Sequence, residues 1–222
     1  MRIIQSVLCA AIAVLGLPQL LCGATVRDQF MPWENTGNNS DLAVTSAQHL
    51  AQTFTAGVSG KLMQLDVIVL KSPGLTGTMT LSLRPTVGGI PDATNSLFQI
   101  EINLSTIPNS SSASDPKPTT SFDVSQFDVN VLVDQKYAIS VEREGPSTPG
   151  AWALWREGRP FGIYSRGEEY MRSSFDGPWT PAVSTLGGDL TFATYVLVPE
   201  PSSVVLAALG LIGLAAWGWR RR

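Results

Sequence analysis

Histidine and cysteine are nearly missing from this 222-residue chain, which has one His and two Cys. A single His cannot build a multi-histidine metal site, and two Cys cannot build a Cys-rich zinc site or a disulfide framework. The body also lacks a basic run: 15 Lys and Arg stand against 18 Asp and Glu, a net charge of −3. Phosphate recognition depends on clustered Lys and Arg, so a nucleic-acid partner is excluded. There is no internal repeat, no heptad, no sustained helical stripe in the body and no Gly-x-Ser-x-Gly elbow. What is present is apolar sequence at both ends and turn-punctuated alternation between them, on a length that allows one domain with appendages.

Residues 1–24 read as a secretory signal. Arg2 gives the positive start, Ile3 to Leu17 is almost wholly apolar, and Cys22-Gly23-Ala24 offers small residues for cleavage. Pro18 and Gln19 break the apolar run before polar sequence follows, which favours cleavage over a permanent anchor. Leu21 stands where a lipoprotein site wants a small residue, so lipid attachment at Cys22 is disfavoured. Cleavage after Ala24 removes Cys9 and Cys22, and the mature chain then has no thiol and depends on its core alone.

The opposite end, residues 198–222, has three parts. Val198-Pro199-Glu200-Pro201-Ser202-Ser203 is followed by an uncharged segment, 204–219, and then by Arg220-Arg221-Arg222. As a helix those 16 residues span roughly 24 Å, a little short of a bilayer core of about 30 Å. A transmembrane helix is still expected, with the arginines snorkelling on the cytoplasmic side. Polar motif, apolar helix and basic stop in this order are what a C-terminal sorting signal requires, because an outside enzyme must cut a chain stalled in the membrane. A permanent tail anchor is the plainer alternative.

In this combination the tail resembles the PEP-CTERM sorting domain of exported bacterial proteins processed by exosortase. The resemblance implies that Pro199, Glu200 and Pro201 are the recognition motif, and that Arg220, Arg221 and Arg222 act as stop-transfer residues. It implies an exosortase-type partner, transient membrane attachment, and a route from an inner-membrane-anchored precursor to the cell surface or medium. Trp217 and Trp219 depart from the aliphatic spans usual in such tails and suit an interfacial belt.

Between the ends, residues 25–197 predict one all-β domain. Met63, Leu65, Val67 and Val69 alternate with Gln64, Asp66 and Ile68; Met79, Leu81 and Leu83 alternate with Thr80, Ser82 and Arg84. Phe98, Ile100, Ile102 and Leu104 continue the pattern, as do Tyr137, Ile139 and Val141. Turn residues intervene at Ser72-Pro73-Gly74, Gly88-Gly89, Asn109 to Ser112, Gly145-Pro146 and Gly187-Gly188-Asp189. Half-buried strands at this spacing predict an antiparallel β-sandwich of jelly-roll type. Ala51-Gln52-Thr53-Phe54-Thr55-Ala56-Gly57, Lys136-Tyr137-Ala138-Ile139 and 188–195 also resemble a recurrent exported bacterial β-sandwich that often carries such tails.

Enzymatic chemistry finds little support. His49, the one possible triad base, precedes the first clear strand and reads as a strand-edge side chain. Jelly-roll glycoside hydrolases place carboxylates at i, i+2 and i+4 of a strand, and Glu142 and Glu144 approach that pattern before Gly145-Pro146 ends it. Glu168 and Glu169 are adjacent and point to opposite faces of a strand. All four are expected at a solvated edge, although a polysaccharide hydrolase using Glu142 or Glu168 is the rival reading. Asp123, Asp128 and Asp134 are too dispersed for a calcium loop, and no metal or other cofactor is expected.

The most suggestive cluster is aromatic. Trp152, Trp155, Phe161, Tyr164, Tyr170, Phe175 and Trp179 are interleaved with Arg156, Arg159, Arg166, Arg172, Glu168 and Glu169. Exposed aromatics stack on sugar rings, so Trp155, Tyr164 and Trp179 are the candidate glycan-binding residues for an exopolysaccharide. With Trp152 and Leu154 facing inward, Trp155 faces out. Core packing of the same aromatics is the plain alternative. The function expected is thus a non-enzymatic, exported surface or matrix protein, possessing either a glycan-binding face or a purely structural role. Without its ends the body, 25–201, carries 11 basic against 18 acidic residues, a net charge of −7.

Overall fold

In a computed structural model of the chain, the residues described are 23–32, 41–110, 118–145, 153–156, 164–174, 176–182, 189–199 and 203–220. The signal segment lies outside them apart from Gly23 and Ala24, as does most of the Ser/Pro-rich loop near 109–120. The chain is mostly β, and Thr25–Val198 forms one compact unit.

Among the described residues, three sheets build that unit. The first joins β1 (Gly23–Met31), β15 (Phe192–Pro199), β4 (Gly60–Val67) and β10 (Asn130–Val131) in that order, with β9 (Thr120–Asp123) also paired to β4. The second runs β14 (Thr180–Pro181), β13 (Glu169–Arg172), β3 (His49–Thr55), β11 (Lys136–Glu142), β6 (Thr78–Val87) and β7 (Ile90–Pro91), with β8 (Phe98–Asn103) on β6. The third is β2 (Asp41–Val44), β12 (Ala153–Arg156) and β5 (Val69–Lys71). One hydrophobic cluster takes side chains from all three: Leu65 and Val196 from the first, Phe54, Leu81 and Ile139 from the second, Trp155 and Val69 from the third.

Alternation placed most of these side chains correctly, because a period of two sends Met79, Leu81 and Leu83 to one face. It slipped in β4, where Leu62, Leu65 and Val67 are buried and Met63 is not. The register explains this: Tyr195 pairs with Gln64 but Val196 pairs with Leu62. Met63 is the extra residue of a β-bulge, and a bulge shifts the phase of every side chain beyond it.

The turn between β6 and β7 is the two-residue Gly88-Gly89, with φ of +62° and +87°. Both angles suit a primed hairpin turn, which only residues such as Gly, Asn and Asp adopt cheaply. Gly167 has a different reason. A Cβ there would lie 1.8 Å from the Thr53 carbonyl oxygen, so a side chain would push the 164–168 segment off β3.

The tail forms α1 (Ser203–Arg220), 18 residues long or about 27 Å. Among the described residues no helix is long and apolar enough to cross a membrane, which corrects the expectation of a transmembrane helix. Its length falls short of an apolar core of about 30 Å. Glycines at 210, 213 and 218, with Trp217 and Trp219 near the end, dilute the apolar face that a full span needs.

Candidate functional site

The outward face of the second sheet is polar in sequence, yet it is closed off from water. Ser82 and Arg84 of β6, Ser140 and Glu142 of β11, and His49 and Arg172 at the facing ends of β3 and β13 are all at most 3% exposed. Glu142 holds the centre. One carboxylate oxygen accepts from Arg84 Nη2 at 2.8 Å and from Ser140 Oγ at 2.8 Å, and the other accepts from Arg172 Nη2. Two guanidinium groups against one carboxylate leave a surplus positive charge, and buried charge must be compensated. The 92–95 loop supplies carbonyls: Asp92 O and Asn95 O accept from Arg84 at 3.1 and 3.3 Å, and Ala93 O accepts from Arg172 at 3.3 Å. That loop is itself folded around the Asp92 carboxylate, which accepts from the backbone of Thr94 and Asn95 and from both their side chains. Trp179 covers the far side, its ring 4.6 Å from the Arg172 guanidinium.

Glu142 is therefore not at a solvated edge, and that expectation is corrected. Its side chain had to point outward from β11, but Trp179 and the 92–95 loop cover the face it points to. Burial alone would raise its pKa; the charges of Arg84 and Arg172, with hydrogen bonds from Ser140 and Arg172, hold it below the usual carboxylate range. Glu169 is also buried, whereas Glu144 and Glu168 are exposed as expected. Glu168 accepts from the Tyr170 hydroxyl at 2.9 Å.

His49 sits at the first position of β3, with Nδ1 accepting from the Arg143 amide at 3.3 Å. Burial is the main reason its pKa lies below the ordinary 6.5, opposed by the Glu142 charge and aided by Arg172. The unfolded chain then binds a proton at His49 that the folded chain resists, so stability rises with pH through this region. Lowering the pH from 7.5 to 5.5 is expected to reduce the denaturant midpoint, and His49→Gln is expected to flatten that dependence. An equally steep loss in His49→Gln would show that other groups cause it. Asp189 has the opposite sign, since burial raises its pKa and its carboxylate weighs against the fold at neutral pH.

The three candidate glycan-binding residues do not form an exposed platform. Trp155 is fully buried in β12 and its indole N–H donates to the Thr191 carbonyl at 2.9 Å. This inverts the expected facing. Alternation shows which residues share a face, but not which face meets the core, and Ala153 and Trp155 share the buried one. Arg156 on the other face is buried too, clamped to Asp41 through two hydrogen bonds of 2.6 and 2.7 Å. Tyr164 is half-buried, edge-on to Phe192 at 5.2 Å, and donates its hydroxyl to Gln29 Oε1 at 2.6 Å. Burial pushes its phenol pKa up. Trp179 is 4% exposed and packs with Ala51 and Tyr170 apart from the main core. Trp152, Phe161, Phe175 and Arg159 lie outside the described residues.

Sequence reasoning missed the joined role of Arg84, Glu142 and Arg172. A signal existed in Ser82-x-Arg84 and Ser140-x-Glu142, two outward-facing polar pairs of opposite charge on strands that now prove to be neighbours. The strand order needed to join them is not legible from one chain. Among the described residues no three His, Cys, Asp or Glu side chains converge as a metal site.

In the tail, Pro199 ends β15 and Arg220 ends α1, while Glu200, Pro201, Arg221 and Arg222 lie outside the described residues. A β-rich body followed by a Pro-Glu-Pro motif, a short helix and terminal arginines defines the class of exported proteins with a C-terminal sorting signal. Residues 197–222 match the family model of the PEP-CTERM protein-sorting motif, so the chain carries that sorting tail. The motif marks an exported protein sorted by exosortase. No curated protein matches the chain.

Proposed function

We propose that the protein is an exported, non-enzymatic component of the cell surface or extracellular matrix, sorted through its tail and binding exopolysaccharide through its β-rich body. The sorting-motif match at 197–222 carries the export and sorting part of this reading. On it, the tail holds the precursor at the membrane until exosortase removes it. Trp217 and Trp219, both well exposed, sit at the lipid interface, and the terminal arginines face anionic headgroups.

The non-enzymatic part is supported by the state of the acids. A glycosidase general acid needs a raised pKa and access to the sugar oxygen. Glu142 is 1% exposed, held by two arginines and lowered in pKa. The two large sheets pack face to face as a jelly-roll sandwich on this reading, supported by the main core cluster that both feed.

Expressed in a bacterium with an active exosortase, the wild-type chain is expected to lose its tail and leave the membrane fraction. Glu200→Ala is expected to keep the Arg222 terminus and stay membrane-associated. Equal processing of the two would remove the Pro-Glu-Pro segment from the recognition step.

A further inference from the structure

The first sheet carries a groove that differs from the sealed centre of the second. It measures about 220 Å³ and is lined by side chains of β1, β4 and β15, notably Arg27, Phe30, Asp66, Ala193 and Tyr195. The register explains why these residues meet. Asp66 pairs with Ala193 and Gln64 with Tyr195, so all four stand on the same outward face of β4 and β15. Between Tyr195 and the strand end, Ala193 has only a methyl group, which leaves the floor low.

Two kinds of surface line it. Phe30 is a large apolar ring left 44% exposed on a strand, with the Arg27 guanidinium 4.0 Å from its centroid. Tyr195 is half-buried, and burial together with the nearby Asp66 carboxylate holds its phenol pKa up. Gln64 Nε2 donates to Asp66 Oδ1 at 2.7 Å, so the carboxylate is oriented by this neighbour before any ligand arrives. A carboxylate has about four acceptor positions, which leaves room for ligand hydroxyls. Arg27 has five N–H donors and uses its flat face on Phe30, leaving its edge available.

We propose that this groove binds a neutral polysaccharide, with Phe30 and Tyr195 against the sugar rings, Asp66 and Arg27 on the hydroxyls, and Gln64 holding Asp66 in place. Rings that are apolar on their faces and polar at their rims fit a site made of aromatic faces beside oriented polar groups. The volume lies below the roughly 300–1,000 Å³ of a drug-sized pocket, which suits a sugar or two of a longer chain crossing an open sheet face. Charge selects the neutral class: Arg27 and Asp66 offset each other locally, while the body's net charge of −7 repels an acidic polymer. The proposal rests on the reading of the protein as a matrix component and gives it a site that the buried tryptophans do not.

Affinity electrophoresis of the purified chain in gels containing dextran, laminarin, galactomannan or hydroxyethylcellulose tests it, with alginate as the acidic comparison. Retardation is expected in at least one neutral gel and less in alginate. Phe30→Ala and Asp66→Asn are each expected to weaken that binding at least about tenfold, equivalent to about 1.4 kcal/mol. Tyr195→Phe keeps the ring and loses only the hydroxyl beside Asp66, so a smaller loss is expected. Wild-type melting temperatures in all three variants would show that the sheet is intact. No retardation in any neutral gel, stronger retardation in alginate, or wild-type binding by Phe30→Ala and Asp66→Asn would overturn the groove. A chain that is sorted and released by its host yet binds none of these polymers overturns the groove alone; one that binds but keeps its tail overturns the sorting reading alone.

Discussion

Glu142→Ala is expected to cost the β-rich unit about 3–5 kcal/mol of stability. Removing this carboxylate leaves Arg84 and Arg172 as two like charges behind Trp179 and the 92–95 loop, with neutral groups such as the loop carbonyls and the Ser140 hydroxyl in place of the counter-ion they shared. For a domain of this size that corresponds to a fall in Tm of roughly 6–20 °C in a thermal melt. A companion variant separates the centre's charge from its shape. Replacing Arg84, Glu142 and Arg172 together by Met, Leu and Met removes these three buried charges, and is expected to recover most of the loss, since ion-pair desolvation is costly. A Glu142→Ala protein as stable as wild type would mean that water or a rearranged loop reaches the arginines.

Trp155→Ala is the second large effect, at about 3–5 kcal/mol from lost burial and the cavity left behind. It also strands the Thr191 carbonyl that the indole N–H serves. Trp155→Phe keeps most of the volume and is expected to cost markedly less. Urea unfolding followed by circular dichroism measures both. The outcome also separates two readings of this residue: a glycan-stacking Trp is dispensable for folding, whereas a core Trp is not. A stability change under about 1 kcal/mol for Trp155→Ala would contradict its place in the core.

The alternations in β6, β8 and β11 were plain in the chain because those strands keep strict period two. In β4 one bulged residue, Met63, reversed the phase, and nothing local in Gly60–Val67 announces a bulge. The polar faces of β6 and β11 misled for a different reason. Ser82, Arg84, Ser140 and Glu142 look like solvated positions in any single strand, and only the cover supplied by Trp179 and the 92–95 loop buries them. Trp155 failed because β12 is covered on both faces, with Trp155 in the core and Arg156 clamped to Asp41. A residue-by-residue count of polarity cannot register cover that comes from distant segments.

The groove on the first sheet escaped for the same reason. Phe30 and Tyr195 are 165 residues apart, and neither lies in the aromatic cluster of 152–179. The tail was the most legible part, because its information is local. A motif, an apolar segment and a basic end follow one another within 25 residues, and the family match covers the same segment. Among the described residues of the tail no helix is long and apolar enough to span by itself, so the arginines and the tryptophans have more of the holding to do on the proposed route.

The claim on which the account rests is that the tail is a processed sorting signal. The direct measurement is the intact mass and C-terminal peptide of the protein recovered from the surface or medium of an exosortase-bearing host, beside the same host with the exosortase deleted. The account predicts a product ending near Pro199-Glu200-Pro201 in the first and a product retaining Arg222 in the second. A surface or released protein that carries Arg222 whether or not exosortase is present would contradict it.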